Sequence, residues 1–160
     1  RNLKVNFTNP YYYIGMSMVA HREVAKGLST LEDFNKPEVV LIARLGTTAV
    51  DAIKKHMPKA QLRLFDDEAQ GLQELLNGNG HAYVSEEPMP AFMTLKHPDK
   101  LFVPLEESFT KGAIGLAVRK GDPDTLNFLN NWIRSVQDEG WLAERKHYWF
   151  ETRDWASLVE

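Results

Sequence analysis

Val39-Val40-Leu41-Ile42-Ala43-Arg44-Leu45-Gly46-Thr47-Thr48-Ala49-Val50-Asp51-Ala52-Ile53 is the stretch on which the fold turns. An apolar run of strand length, rich in β-branched residues, stops at Gly46, and a helical pattern begins at Thr47. Such a run reads as a strand buried on both faces. Gly46 lets the backbone turn sharply or approach a ligand closely. Thr47 or Thr48 can act as the helix N-cap, its hydroxyl near free backbone N–H groups. A helix start of this kind attracts anions, because its unpaired N–H groups and the helix dipole both point outward. The same pattern also serves as a capped βα turn that holds no ligand, a routine connection in α/β domains.

Working outward, the flanking segments repeat the alternation of strand and helix. Tyr11 to Ala20 reads as a strand, after a short extended segment from Val5 that ends at Pro10. Thr30-Leu31-Glu32-Asp33 fits a short capped helix. The helix after Gly46 carries Val50 and Ile53 at helical spacing and closes at Pro58. Gln61 to Phe65 is expected as a strand, followed by a helix capped by Asp66 or Asp67 and running to Leu76. Asn77-Gly78-Asn79-Gly80 ends that helix with residues that tolerate positive φ. His81 to Ser85 is the next strand, and Glu86-Glu87-Pro88 opens a helix toward Lys96, its acids at the favoured end. Leu101 to Val103 and Gly112 to Arg119 are the last strands. This alternation argues for an α/β fold with a mostly parallel sheet. Beyond it come two helices. One starts at Asp122-Pro123 with Leu126, Leu129, Ile133 and Val136 at helical spacing; after Gly140 the other holds Trp141, Leu142, Arg145, Tyr148 and Trp149.

Composition bounds the function. The 160 residues are 43% apolar and 26% charged, an ordinary globular mix. The net charge of -3 gives no support to nucleic-acid binding. No apolar run reaches membrane-spanning length. With no cysteine, thiol catalysis, disulfides and thiolate metal sites are excluded. His21, His56, His81, His97 and His147 show no close metal-ligand spacing, so neither a metal nor a cofactor is expected. Walker, Gly-x-Gly-x-x-Gly and Gly-x-Ser-x-Gly motifs are lacking. Asn6-Phe7-Thr8 matches a glycosylation sequon, a short and common pattern. Glu86 and Glu87 follow a strand at the carboxyl edge of the expected sheet, where open α/β sheets bind ligands. A helix-starting acid pair explains them equally well. Arg1 is not a natural start residue.

A family resemblance gathers these pieces. Arg1-x-x-x-Val5-x-Phe7-Thr8-Asn9-Pro10-Tyr11, Leu31-Glu32-Asp33-Phe34, Gly46-Thr47-Thr48, Ala82-Tyr83-Val84-Ser85-Glu86 and Gly115-Leu116-Ala117-Val118-Arg119-Lys120-Gly121-Asp122 occur in that order. Together they resemble the amino-acid-type periplasmic solute-binding proteins of ABC importers, bacterial extracellular solute-binding family 3. Gly140-Trp141-Leu142-x-x-Arg145-x-x-x-Trp149-Phe150 is similar to the family's closing helix, and also to the cyclohexadienyl dehydratases, enzymes of the same fold.

The resemblance implies two α/β lobes joined by crossing strands, with a ligand trapped between them. On that pattern 1–12 is a crossing strand, 13–112 is lobe two, 113–121 is the return crossing, and 122–160 holds helices that pack on lobe one. Most of the family's lobe-one sequence is expected to be missing, so the chain resembles a fragment. The ligand-binding residues implied are Arg1, Gly46, Thr47, Thr48 and Glu86. Arg1 would pair with the ligand carboxylate, a match for a guanidinium fork. Thr47 and Thr48 would share that carboxylate, and Glu86 stands where the family usually has the Asp that binds the α-ammonium. Arg44 is a further candidate, by its charge near the same edge. The implied function is extracytoplasmic, periplasmic binding of an amino acid or small carboxylate for import, without catalysis and with ABC transporter membrane subunits as partners. A dehydratase with Glu86 or Glu87 as general acid, and the ligand-sensing domain of a receptor kinase, are the alternatives. The apolar stripes in 122–150 are further expected to be covered by another copy or by exchange of helices between copies.

Overall fold

Consecutive apolar residues, pointing alternately to the two faces, build a sheet that is covered on both. In the computed structural model, which describes residues 4–152 and 154–155, the chain forms two compact units: Arg1–Tyr13 with Gly112–Glu160, and Ile14–Lys111. Arg1 lies outside the described residues.

In the unit of residues 14–111, strands Met16–His21 (β3), Val40–Arg44 (β4), Gln61–Phe65 (β5), Ala82–Glu86 (β6) and Leu101–Phe102 (β7) form one sheet in the order β5-β4-β6-β3-β7. β4 pairs parallel with β5 and β6, whereas β3 pairs antiparallel with β6 and β7. The mostly parallel sheet therefore contains one reversed strand, β3. Helices Leu31–Phe34 (α1), Thr48–His56 (α2), Glu68–Leu76 (α3) and Met89–Lys96 (α4) flank it. Met16, Met18, Leu41, Ala43, Ala82 and Val84 point to one face and pack with Phe34 of α1 and Val50 and Ile53 of α2. The residues between them, Val19, Ile42 and Tyr83, point to the other and pack with Leu75 of α3 and Met93 of α4. Because successive strand side chains alternate and both faces are covered, β3, β4 and β6 carry apolar residues on both faces, with Ser17 and His21 of β3 as buried polar exceptions.

The other unit holds Val5–Phe7 (β1) paired antiparallel with Ala117–Arg119 (β9), and all but the last residue of Tyr12–Ile14 (β2), which pairs with Gly112–Ile114 (β8). Pro123–Asp138 (α5), Trp141–Lys146 (α6) and a π-helical turn His147–Glu151 complete it. Asp122 caps α5 by accepting from the Thr125 N–H, with Pro123 as the first helical residue.

Several elements are shorter than the sequence suggests. The strand expected over Tyr11–Ala20 breaks at Gly15. There the segment 108–110 takes over the ladder: Phe109 N–H donates to the Met16 carbonyl (2.8 Å) and Met16 N–H to Thr110 Oγ1 (2.8 Å). A Cβ at Gly15 would collide with Ser108 and the Thr110 carbonyl. The strand expected over Gly112–Arg119 is also two, because Thr8 interrupts it: Thr8 N–H donates to the Leu116 carbonyl (3.0 Å) and Leu116 N–H to Thr8 Oγ1 (2.9 Å). Glu86 ends β6 rather than starting a helix, and α4 begins at Met89. The last helix passes from α-helical to π-helical geometry at His147. No helix among the described residues is long and apolar enough to cross a membrane.

Candidate functional site

Parallel strands β4 and β6 deliver their carboxyl ends side by side, the position at which open α/β sheets bind ligands. After Arg44 the chain turns at Gly46, whose φ of 75° lies in the left-handed region that glycine enters without strain. Nothing lies within 4 Å of where its Cβ would be, so the backbone angle, and not crowding, calls for glycine.

Thr47 is the N-cap of α2, as expected, but its hydroxyl does not cap the helix. It turns back and donates to the Arg44 carbonyl (2.8 Å), bracing the turn. The α2 start is thus left without a side-chain acceptor. Thr48 Oγ1 donates instead to Glu86 Oε1 (3.1 Å) at the end of β6. α1, α3 and α5 are capped by Thr30, Asp67 and Asp122, whereas the starts of α2 and α4 carry no side-chain cap.

Between these ends lies a cavity of about 470 Å³, within the range of small-molecule sites. Gly46, Thr47, Thr48 and Ala49 form one wall, and Ser85, Glu86 and Glu87 face them. Met16, Tyr83, Val84 and Met89 give the apolar lining, and Arg44 and Glu68 stand at the rim with charge. The geometry thus brings together Arg44, Gly46, Thr47, Thr48 and Glu86. Arg1 lies outside the described residues, and its position relative to them is not part of the structure. Among the lining residues one cation, Arg44, stands against three carboxylates, Glu68, Glu86 and Glu87. A charge balance of that sign opposes a dianionic ligand and favours one with positive charge.

Sequence reading missed Met16, Glu68, Tyr83, Ser85 and Met89. Tyr83 is 1% exposed, and burial, together with the nearby Glu68 carboxylate, pushes its phenol up to about 12. The pattern of β6 marks Tyr83 as a core residue, and it is one; only the register of α3 against the sheet puts it also at the cavity.

An α/β lobe with a cavity at parallel strand ends, between an open helix start and an acidic residue, has the geometry in which open α/β sheets hold small ligands. Residues 1–152 match the family described as bacterial extracellular solute-binding proteins, family 3. The chain belongs to that family. Among curated proteins it is 26% identical over 150 residues to the L-cystine-binding protein TcyJ of Escherichia coli K12, covering 94% of this chain and 55% of that protein. The cyclohexadienyl dehydratase of Pseudomonas aeruginosa is more distant, 20% identical over 96% of this chain and 57% of the enzyme. Among solved structures, the binding component of an ABC transporter from Wolinella succinogenes, complexed with lysine, superposes with a TM-score of 0.82 at 35% identity, covering 98% of this chain and 67% of that one. The chain spans about half the length of the curated relatives it matches.

Proposed function

We propose that this protein binds an amino acid outside the cytoplasm, in the periplasm or its equivalent, and presents it to the membrane subunits of an ABC importer. The lobe of residues 14–111 supplies one wall of the clamp. The observation that carries this reading is the α2 start, free of a side-chain cap, beside Glu86 in the lining of one cavity. Backbone N–H groups there suit a carboxylate and Glu86 suits an ammonium, the two charges of a zwitterionic amino acid. Arg1 is the second carboxylate partner in this proposal. The excess of carboxylates favours a cationic amino acid, in keeping with the lysine held by the Wolinella protein.

Binding without chemistry is the reading, and incubation with prephenate or arogenate should yield no product by chromatography. Calorimetry against the common L-amino acids should find at least one saturable ligand. Thr48→Val removes the hydroxyl that positions Glu86 and should weaken that ligand by about 0.5–1.5 kcal/mol, the value of one ordinary hydrogen bond. An unchanged affinity would count against a role for the Thr48–Glu86 pair.

Exposed Phe128 (68%), Trp132 (43%), Trp141 and Trp149 support a further part of the proposal: helices in 122–150 are covered by another copy or exchanged with it. Light scattering should then give a mass above that of one chain, falling on dilution.

A further inference from the structure

A separate cavity of about 400 Å³ lies at the amino ends of β4 and β6, the sheet edge away from the cleft. β3 runs antiparallel to β6, so His21 at its end reaches that edge, while Met16 at its start lines the cleft. At about 3.3 Å per residue, the two ends of β3 lie about 16 Å apart, too far for one small ligand to touch both. The two cavities have no lining residue in common.

His21 is 8% exposed, the one buried side chain in this lining. Its Nδ1 accepts from the N–H groups of Glu23 (3.3 Å) and Val24 (3.4 Å). The proton of the neutral ring therefore sits on Nε2, which has no acceptor among the described residues. Two cations beside it are already held in place. Arg22 Nε donates to the Pro98 carbonyl (2.9 Å), and its guanidinium lies 5.7 Å from the centre of the Phe102 ring. Lys100 Nζ donates to the Leu76 carbonyl (3.4 Å) at the end of α3. Both keep further N–H groups, and neither forms an ion pair with Glu23 or Asp99, the two acids of the lining. Those acids are exposed and their carboxylates bond to no described residue, so they turn freely to water. Donors held in place beside acids that are free to leave suit an oxygen acceptor. Two positive charges against two negative ones leave no excess to hold a dianion.

We propose that this cavity is a second ligand site, which takes a small organic acid by a singly charged carboxylate. His21 Nε2–H, Arg22 and Lys100 donate to its oxygens, and the volume suits a small molecule. The site is independent of the amino-acid site at the other edge, and either stands without the other.

NMR of the His21 imidazole tests it, with acetate as the probe at constant pH and sodium chloride as the blank. Acetate should shift the His21 ring signals saturably, and chloride should not. Arg22→Gln and Lys100→Gln each remove one charged donor at an exposed position. Each should weaken acetate by about 10-fold, the lower end for a hydrogen bond to a charged group, with circular dichroism unchanged. Thr48→Val, at the cleft, should leave the acetate titration as it is. A shift that grows linearly and equally with chloride, equal affinity in the Arg22 and Lys100 variants, or a loss in Thr48→Val would overturn the site. Inorganic phosphate binding more tightly than acetate would overturn its assignment to a singly charged carboxylate. None of these results bears on amino-acid binding at the cleft.

Discussion

At the scale of single residues, two positions hold the lobe to one geometry. Gly71 is enclosed: a Cβ there would lie 2.5 Å from the Tyr83 ring and 3.2 Å from Ile42 Cγ2. Both neighbours are buried and belong to strands, so neither can swing aside. Gly71→Ala should therefore destabilise the lobe by about 1–3 kcal/mol through overpacking, despite alanine's better helix propensity. Urea denaturation measures the change, and a more stable variant would show that Tyr83 can move. His81 is the second position. Its Nδ1 accepts from the Val40 N–H (3.0 Å), which requires that nitrogen to be unprotonated. Burial holds its pKa below 6.5, with Glu38 opposing in part. The folded state thus binds a proton less readily than the unfolded one. Stability from this group is fully present above pH 6.5 and is lost as the pH falls from there through the depressed folded value. Denaturation midpoints should drop between about pH 7.5 and about pH 5.5, and His81→Gln should flatten that drop.

Among the elements, helix starts divide by what they face. α3 is closed by Asp67, whose carboxylate accepts from the N–H groups of Ala69 (2.6 Å) and Gln70 (3.3 Å). α1 has a full capping box between Thr30 and Asp33, and those same bonds, the Thr30 hydroxyl first, lower the Asp33 pKa. At α2 the hydroxyl suited to capping braces the preceding turn instead. An open start costs helix stability unless a ligand anion supplies the acceptors. Asp67→Ala should cost about 0.5–2 kcal/mol in thermal or chemical melts, the usual value of a lost cap. Thr47→Ala should cost less than Asp67→Ala, because no cap bond is removed; a cost as large as that of Asp67→Ala would mean that Thr47 caps α2 in solution.

For the molecule as a whole, the sheet, its four flanking helices and both apolar clusters lie inside residues 14–111. A core that is closed within one continuous segment should fold without the rest of the chain. A protein consisting of residues 14–111 should give α/β circular dichroism and a cooperative urea transition. A non-cooperative loss of signal would mean that this lobe depends on the segments around it. The remaining unit places large side chains at its surface, Phe128 above all, and among its helical residues in 123–146 only Ile133 is buried.

Local chemistry determined much of this on its own. Apolar runs at 39–43 and 82–84, glycine at a positive-φ turn, and Thr or Asp before each capped helix are preferences of short segments, and they act wherever those segments lie. The strand–turn–helix at Gly46 and the helix starts at Thr30, Asp67 and Asp122 were legible for that reason. Thr48 and Glu86 were singled out by the helix start and the strand end, and the family resemblance added the roles. Only tertiary structure decided what happens between segments. The strands break at Gly15 and at Thr8 because partners distant in the chain intervene: Thr110 takes the Met16 N–H, and Thr8 takes the Leu116 N–H. Thr47 rotates away from its cap because the turn presents the Arg44 carbonyl at 2.8 Å. Tyr83 joins the cavity because Gly71, on a helix that precedes its strand, leaves room for its ring. Contacts of this kind depend on the register of one packed element against another, which no local preference encodes.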